Sequence, residues 1–193
     1  NGSLITKDFI DHNKSKIDLI GISVDSLKHE TNMLIGRCCN KKTLLTNELV
    51  EICNTIKANN IKHKINHCLS KYNEDEDISD FIVNVKPDRF KIFQISIVEG
   101  INNNSRRMQL STEEFEECFK KYNCLNAIIE ESCEMKASYL MIDSKGDFYV
   151  DRSIGPIGNA IYDDFEFLMN KAKFDDLSFE KRYLDCKIRD SVV

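Results

Sequence analysis

The sequence predicts an α/β fold in which parallel strands alternate with helices, followed by a mixed α+β segment. Three observations carry that expectation: short apolar runs, helical periodicity between them, and turn chemistry where one gives way to the other. Residues 17–24 (IDLIGISV) are an apolar run with a single charge, as a buried parallel strand requires. A helix is expected over 42–59, where Leu45, Leu49, Ile52 and Ile56 recur at helical spacing and Asn59-Asn60 supplies a stop. Residues 62–69 (KHKINHCL) read as the next strand. Asp77 can cap a short helix to Val85, which has to end before Pro87 because the residue preceding a proline is driven out of the helical region. Residues 89–98 (RFKIFQISIV) are the clearest strand in the chain.

Beyond it, Ser111 and Glu114 form a capping-box pair that opens a helix to Lys121. Residues 139–142 and 148–150, joined by Asp143-Ser144-Lys145-Gly146-Asp147, predict a hairpin, and a last helix is expected over 163–172. The acidic run 74–77 reads as a solvated loop. Three parallel strands can neither close a barrel nor cover their own edges. A missing upstream part, or a partner on the open edge, is therefore expected.

Composition narrows the class. With 41% hydrophobic and 31% charged residues in 193, the chain is globular rather than disordered. A net charge of −5 leaves no overall basic footprint for nucleic acid, so no nucleic-acid partner is expected, although a local cationic pocket for a small anion stays open. The 8 cysteines lack the compact spacing of a disulfide scaffold and form no C-x-x-C pair, which points to reduced thiols, a cytoplasmic reducing compartment and no structural zinc.

Candidate chemistry lies on the strands. Alternate side chains share a face, so Lys64 and Asn66 point one way while His63, Ile65 and His67 point the other. Arg89 and Lys91 likewise share a face. If these four line an interior, three cations meet there and call for a polyanion such as a triphosphate, since buried cations without partners are costly. The alternative is a solvent-facing side, where lysine and arginine usually lie. His63 and His67 are four apart, but along a strand that spacing spans about 13 Å, too far for one metal ion. Ser23 and Asp25 sit at a strand's carboxyl end, a common place for function, though Asp25-Ser26 could equally cap the next helix. Tyr139 is either a reactive phenol or a core aromatic.

Taken in order, these segments resemble the viperin-type radical S-adenosylmethionine (SAM) enzymes. The resemblance rests on Asn1-Gly2-Ser3-Leu4-Ile5, Ser23-Val24-Asp25-Ser26, Leu34-Ile35-Gly36-Arg37, Lys64-Ile65-Asn66, Arg89-Phe90-Lys91-Ile92-Phe93-Gln94, Ile97-Val98-Glu99-Gly100 and Met135-Lys136-Ala137-Ser138-Tyr139-Leu140. It covers residues 1–150 at near-constant spacing. It implies the C-terminal half of a partial (βα)6 radical-SAM barrel over 1–100 and a C-terminal extension covering the nucleotide site over 101–193. It further implies SAM and a [4Fe-4S] cluster as cofactors, an electron donor, and a nucleoside triphosphate substrate (CTP, UTP or GTP). In the family, a 5′-deoxyadenosyl radical takes the 4′ hydrogen, and loss of water yields a chain-terminating 3′-deoxy-3′,4′-didehydro nucleotide with an antiviral role. By the same resemblance Ser23 and Arg37 contact SAM, Lys64, Asn66, Arg89 and Lys91 hold the substrate, and Tyr139 is catalytic, quenching the product radical.

Three departures qualify the expectation. The cluster-binding C-x-x-x-C-x-x-C motif is absent from these 193 residues, so the polypeptide alone is expected to be inactive, with the missing N-terminal half of the barrel as its partner. The family's glycine-containing phosphate loop is replaced by EKRYLD at 180–185, leaving Lys181 and Arg182 as candidate phosphate contacts without the backbone cradle. The chain ends Ser191-Val192-Val193 rather than in the tryptophan of animal members, so their cluster-loading partner is not expected. Membrane association is expected only through a segment upstream of residue 1. Another nucleotide-acting radical SAM reaction, or a non-catalytic nucleotide-binding or interaction module, are the competing readings.

Overall fold

A computed structural model describes residues 2–98, 100–132, 139–150, 155–177 and 179–180. Two compact units are present, Asn1–Ile95 with Asn104–Glu130 and Ser96–Asn103 with Glu131–Val193. The first is built on a four-stranded sheet in the order β1 (Leu19–Ser23), β2 (Lys62–Leu69), β3 (Arg89–Gln94), β4 (Ile128–Glu130), with every adjacent pair parallel. Parallel neighbours need crossovers. These are supplied by α2 (His29–Leu34) and α3 (Thr46–Ala58) between β1 and β2, α4 (Ser79–Val85) between β2 and β3, and α5 (Thr112–Phe119) between β3 and β4; α1 (Lys7–Asn13) precedes β1.

β2 has the bounds expected from its alternation, and its burial alternates residue by residue. One face, with Ile22, Ile65, Leu69, Phe90 and Ile92, belongs to a single core with Leu49, Cys53 and Ile56 of α3, Phe81, Ile82 and Val85 of α4, and Phe115 of α5. Each such aliphatic side chain contributes roughly 1.5–3 kcal/mol on burial. α3 presents Leu49, Cys53 and Ile56 at i, i+4 and i+7, the spacing of one helical stripe. α4 ends in a left-handed Lys86, one residue before Pro87. Asp77 does not stand at the N-cap position, but its carboxylate accepts the Ser79 N–H at 2.8 Å, doing the cap's work from one residue upstream. At α5 the capping box forms as expected, with Ser111 Oγ accepting from Glu114 N and the Glu114 carboxylate accepting from Ser111 N.

Several elements differ from the sequence expectation. β4 is a fourth parallel strand where three were expected; at three residues it carries too little alternation to be read. β3 stops at Gln94, four residues short of the expected strand. Glu76, in the supposedly solvated acidic run, is only 7% exposed. In the second unit, β5 (Met141–Ile142) and β6 (Asp147–Tyr149) form the expected hairpin, joined by a third strand β7 (Gly158–Asn159). Its turn is closed by Asp143, whose Oδ1 accepts from Lys145 N and Asp147 N, with Gly146 at φ +84°, where a side chain is disfavoured. α6 (Phe165–Ala172) is capped by Asp164 and buries Leu168. No described helix is long and apolar enough to cross a membrane.

Candidate functional site

The face of the sheet opposite the core is polar, and the strand register arranges it in rows. Gly21, Lys64 and Arg89 are direct neighbours across β1, β2 and β3. One step along, Ser23, Asn66 and Lys91 form the next row. Cys68, Phe93 and Glu130 form a third. Ser23, Lys64, Asn66, Arg89 and Lys91, all named from the sequence, thus share one half-buried face. Of the two alternatives left open by periodicity, neither an enclosed interior nor a fully solvated side describes it.

Gly21 makes the first row possible. A Cβ there would stand 3.3 Å from Lys64 Cε and 4.0 Å from its Nζ, so the lysine stem lies across the space the glycine leaves. In the second row, the Oδ1 of Asn66 is buried and accepts no hydrogen bond. A buried acceptor without a donor is costly, and a ligand N–H or O–H would satisfy it. Lys91 differs from the expected free cation: its ammonium is ion-paired with Glu130, whose side chain is 0% exposed, and it stands 5.9 Å from the centre of the Phe93 ring. Glu130 was not anticipated, because a single glutamate after two isoleucines carries no signal of pairing.

Beside this face, the segment leaving β1 borders an open pocket of about 480 Å³ whose lining includes Ser23, Ser26, Asn32, Arg37, Thr43 and Leu49. Its volume is in the range of small-molecule sites. Ser23 therefore belongs both to the second row of the sheet and to the pocket wall. Arg37 follows Gly36 (φ +81°) and closes α2 by donating its backbone N–H to Asn32 O at 2.8 Å. Its Nε donates to Asp25 Oδ2, while Asp25 Oδ1 accepts from Cys68 N at 2.8 Å. Asp25 thus bridges the end of β1 to β2 and aims the guanidinium, where the sequence offered a helix cap. The Cys68 thiol is pushed up to about 12 by burial, with the Asp25 carboxylate adding to the rise, which removes it as a nucleophile.

A buried network holds this loop in place. Glu76 accepts from Ser26 Oγ and Thr31 Oγ1, both at 2.5 Å, and lies 3.7 Å from the Lys28 ammonium. Asn73 Nδ2 donates to the carbonyls of Asp25 and Cys68. On the core face, His67 Nδ1 contacts Val24 O at 2.9 Å and its Nε2 lies 3.3 Å from the Tyr122 hydroxyl. Since the carbonyl can only accept, Nδ1 carries the proton, and the Tyr122 hydroxyl has two acceptors at 3.3 Å, His67 Nε2 and Glu76 O. Burial lowers the pKa of His67 and pushes that of the Tyr122 phenol up to about 12.

His63 and His67 lie on the strand as expected, and among the described residues no group of His, Cys, Asp or Glu side chains is placed to hold a metal ion. Tyr139 belongs to the second unit, just before β5, and is 38% exposed rather than a core aromatic. Lys181, Arg182, Glu99, residues 135–138 and the last three residues lie outside the described residues.

No family model matches the chain. Among individual proteins it is 32% identical to a protein of Flammeovirga pacifica over 195 residues, covering 97% of this chain and 64% of that one. It is 35% identical over 153 residues to one of Psychrobacter lutiphocae, covering 77% of this chain and 50% of the relative. It is 31% identical over 150 residues to one of Danio rerio, covering 74% of this chain and 42% of the relative. The first two are named S-adenosylmethionine-dependent nucleotide dehydratase, and the third carries the same name with the suffix RSAD2. The chain is a homologue of the viperin-like SAM-dependent nucleotide dehydratases. The chain spans 64% and 42% of the lengths of the Flammeovirga and Danio dehydratases, so their activity is a property of longer proteins. The dehydratase relatives bear out the family resemblance drawn from the motifs, and the parallel sheet with its helices and the small antiparallel sheet bear out the fold class.

Proposed function

We propose that the whole protein is a radical SAM nucleotide dehydratase and that this chain contributes the wall that holds the nucleotide and one side of the SAM site. The observation that carries the reading is the register: Lys64 beside Arg89, and Ser23 beside Asn66 beside Lys91, on one half-buried face that adjoins a pocket also lined by Ser23 and Arg37. A triphosphate suits the first row, because an arginine fork and a lysine point charge give charge-assisted hydrogen bonds to phosphate oxygens. The ribose suits the second row, where the orphaned Asn66 Oδ1 accepts from a hydroxyl. SAM suits the pocket, whose size and mix of polar and apolar walls fit a small charged molecule, with the guanidinium that Asp25 orients meeting its carboxylate. When bound, SAM supplies the hydrogen-abstracting chemistry.

The net change assigned to the nucleotide is the loss of the elements of water. The 4′ hydrogen atom would pass to bound SAM, and the 3′ hydroxyl would leave as water with one further nucleotide proton. One hydrogen atom returned from a phenol, re-reduced by the electron donor, would give the 3′-deoxy-3′,4′-didehydro product. CTP, UTP or GTP is the substrate, and Tyr139 is assigned the closing hydrogen donation from its phenol. A [4Fe-4S] cluster has no ligand set among the described residues, so the work assigned to this chain is binding and orientation. The deciding experiment is anaerobic incubation of the full-length, cluster-reconstituted protein with SAM, a reductant and each triphosphate in turn. A nucleotide lighter by one water is expected; SAM cleavage with no nucleotide converted sinks the dehydratase reading.

A further inference from the structure

We propose that Glu130 is a positioning residue that fixes the Lys91 ammonium on the polar face, making it an aimed hydrogen-bond donor to the bound ligand rather than a free positive charge. The nucleotide part of this inference rests on the function proposed above; the positioning part does not. Three observations carry it. Lys91 and Glu130 lie on the same face of adjacent parallel strands, the register setting Lys91 opposite Ile128 and Phe93 opposite Glu130. The glutamate is 0% exposed and the lysine 12%, so the pair is withdrawn from the solvent screening that makes surface ion pairs weak. The Phe93 ring beside the ammonium adds a second restraint.

A lysine has four side-chain torsions, and an exposed ammonium wanders among many positions. A buried carboxylate in contact selects one of them and leaves the remaining N–H bonds directed by the tetrahedral nitrogen. Lys91 is in register with Asn66, whose Oδ1 is an unfilled acceptor. The second row therefore presents a directed donor and a waiting acceptor side by side, the complement of a sugar hydroxyl, which both donates and accepts.

Ligand-free lysine footprinting of the chain tests the positioning directly. Brief acetylation with an N-hydroxysuccinimide ester is read by peptide mass spectrometry, with Lys121 as internal reference because its ammonium is also held, by the Glu74 and Glu76 carbonyls. Glu130→Gln is expected to raise the Lys91 rate about tenfold, the scale of losing one charge-assisted hydrogen bond, with Lys121 unchanged. An unchanged Lys91 rate, or equal acceleration of both lysines, overturns the proposal. Should Glu130→Gln not fold, Glu130→Asp, which keeps the charge but shortens the reach, is read the same way.

The second arm measures CTP and inorganic tripolyphosphate affinity by calorimetry in a double-mutant cycle. Glu130→Gln is expected to weaken CTP about tenfold, and to do nothing further once Lys91→Met is present. Additive losses overturn the proposal, as does tighter tripolyphosphate binding by Glu130→Gln, which would mean that the glutamate withholds charge rather than aims it. A footprint change with no CTP binding by the wild-type chain supports the positioning and removes the nucleotide reading instead.

Discussion

The two faces of the first unit's sheet are built from the same strands, one residue out of phase, and they do different work. Along β2, His63, Ile65, His67 and Leu69 are buried against helices, whereas Lys64, Asn66 and Cys68 stay half-buried on the other side. Ile65 and Leu69 of the first set belong to one continuous core, with the two buried histidines alternating with them on the strand. The second contains an orphaned acceptor, a lysine lying over a glycine, and an ion pair at its edge. Adjacent residues therefore divide stability from binding, and neighbouring substitutions on one strand should separate the two.

The largest effect is expected on the core face. Phe90 is 3% exposed and meets Tyr122 edge-on at 5.6 Å between ring centres, so Phe90→Ala should cost about 3–5 kcal/mol in urea unfolding. Its neighbour Arg89, on the other face, should cost no more than about 1 kcal/mol when truncated. Equal costs would break the comparison. The opposite split is expected for ligand: Arg89→Ala and Lys64→Ala should each lose about 1.5–3 kcal/mol of nucleoside triphosphate affinity by calorimetry, while a core change with the fold intact should leave affinity near wild type.

The core face also carries the pH response. Burial, before any other cause, lowers the pKa of His67 and of His63 below the ordinary histidine value of 6.5. Between that value and the lowered native ones the unfolded chain binds more protons than the folded one, so stability falls as pH drops. The slope is bounded at about 1.4 kcal/mol per pH unit for each histidine. Unfolding midpoints from pH 7.5 to 5.5 should therefore decline, and His67→Asn should flatten the decline. A wild-type midpoint that rises on acidification would sink this account.

How much of this was legible in the sequence follows the same division. β2 could be read residue for residue, because eight alternating positions are a strong signal. The five residues of the polar face could be named from alternation and family resemblance together. Register could not be read, since pairing Gly21 with Lys64 depends on the whole crossover between them. Short elements such as β4 and α2 carry too few periods to detect. Glu76 and Glu130 were missed for a shared reason: a carboxylate is assigned to solvent by default, and only tertiary structure reveals the hydroxyls of Ser26 and Thr31, or the Lys91 ammonium, that make its burial tolerable.

The smallest stability effect sharpens the comparison most. Gly21 is exposed, sits on the polar face between two half-buried or buried strand neighbours, and has no positive φ to protect. Gly21→Ala should therefore change stability by no more than about 0.5 kcal/mol, since the added methyl presses on the flexible stem of Lys64, meets Asn66 Nδ2 only at an ordinary 3.9 Å, and relieves some backbone entropy. Yet that methyl would stand 3.3 Å from Lys64 Cε, so the lysine must give way and its ammonium shift. Triphosphate affinity should fall severalfold while the urea midpoint stays put, a loss on the order of 1 kcal/mol from a misplaced charge-assisted contact. Gly21→Val should deepen that loss, because its branched side chain fills more of the space under the stem. If both variants bind as the wild type does, Lys64 is not held where the first row needs it. The first row would then play no part in holding the triphosphate, and the division between the two faces would reduce to burial alone.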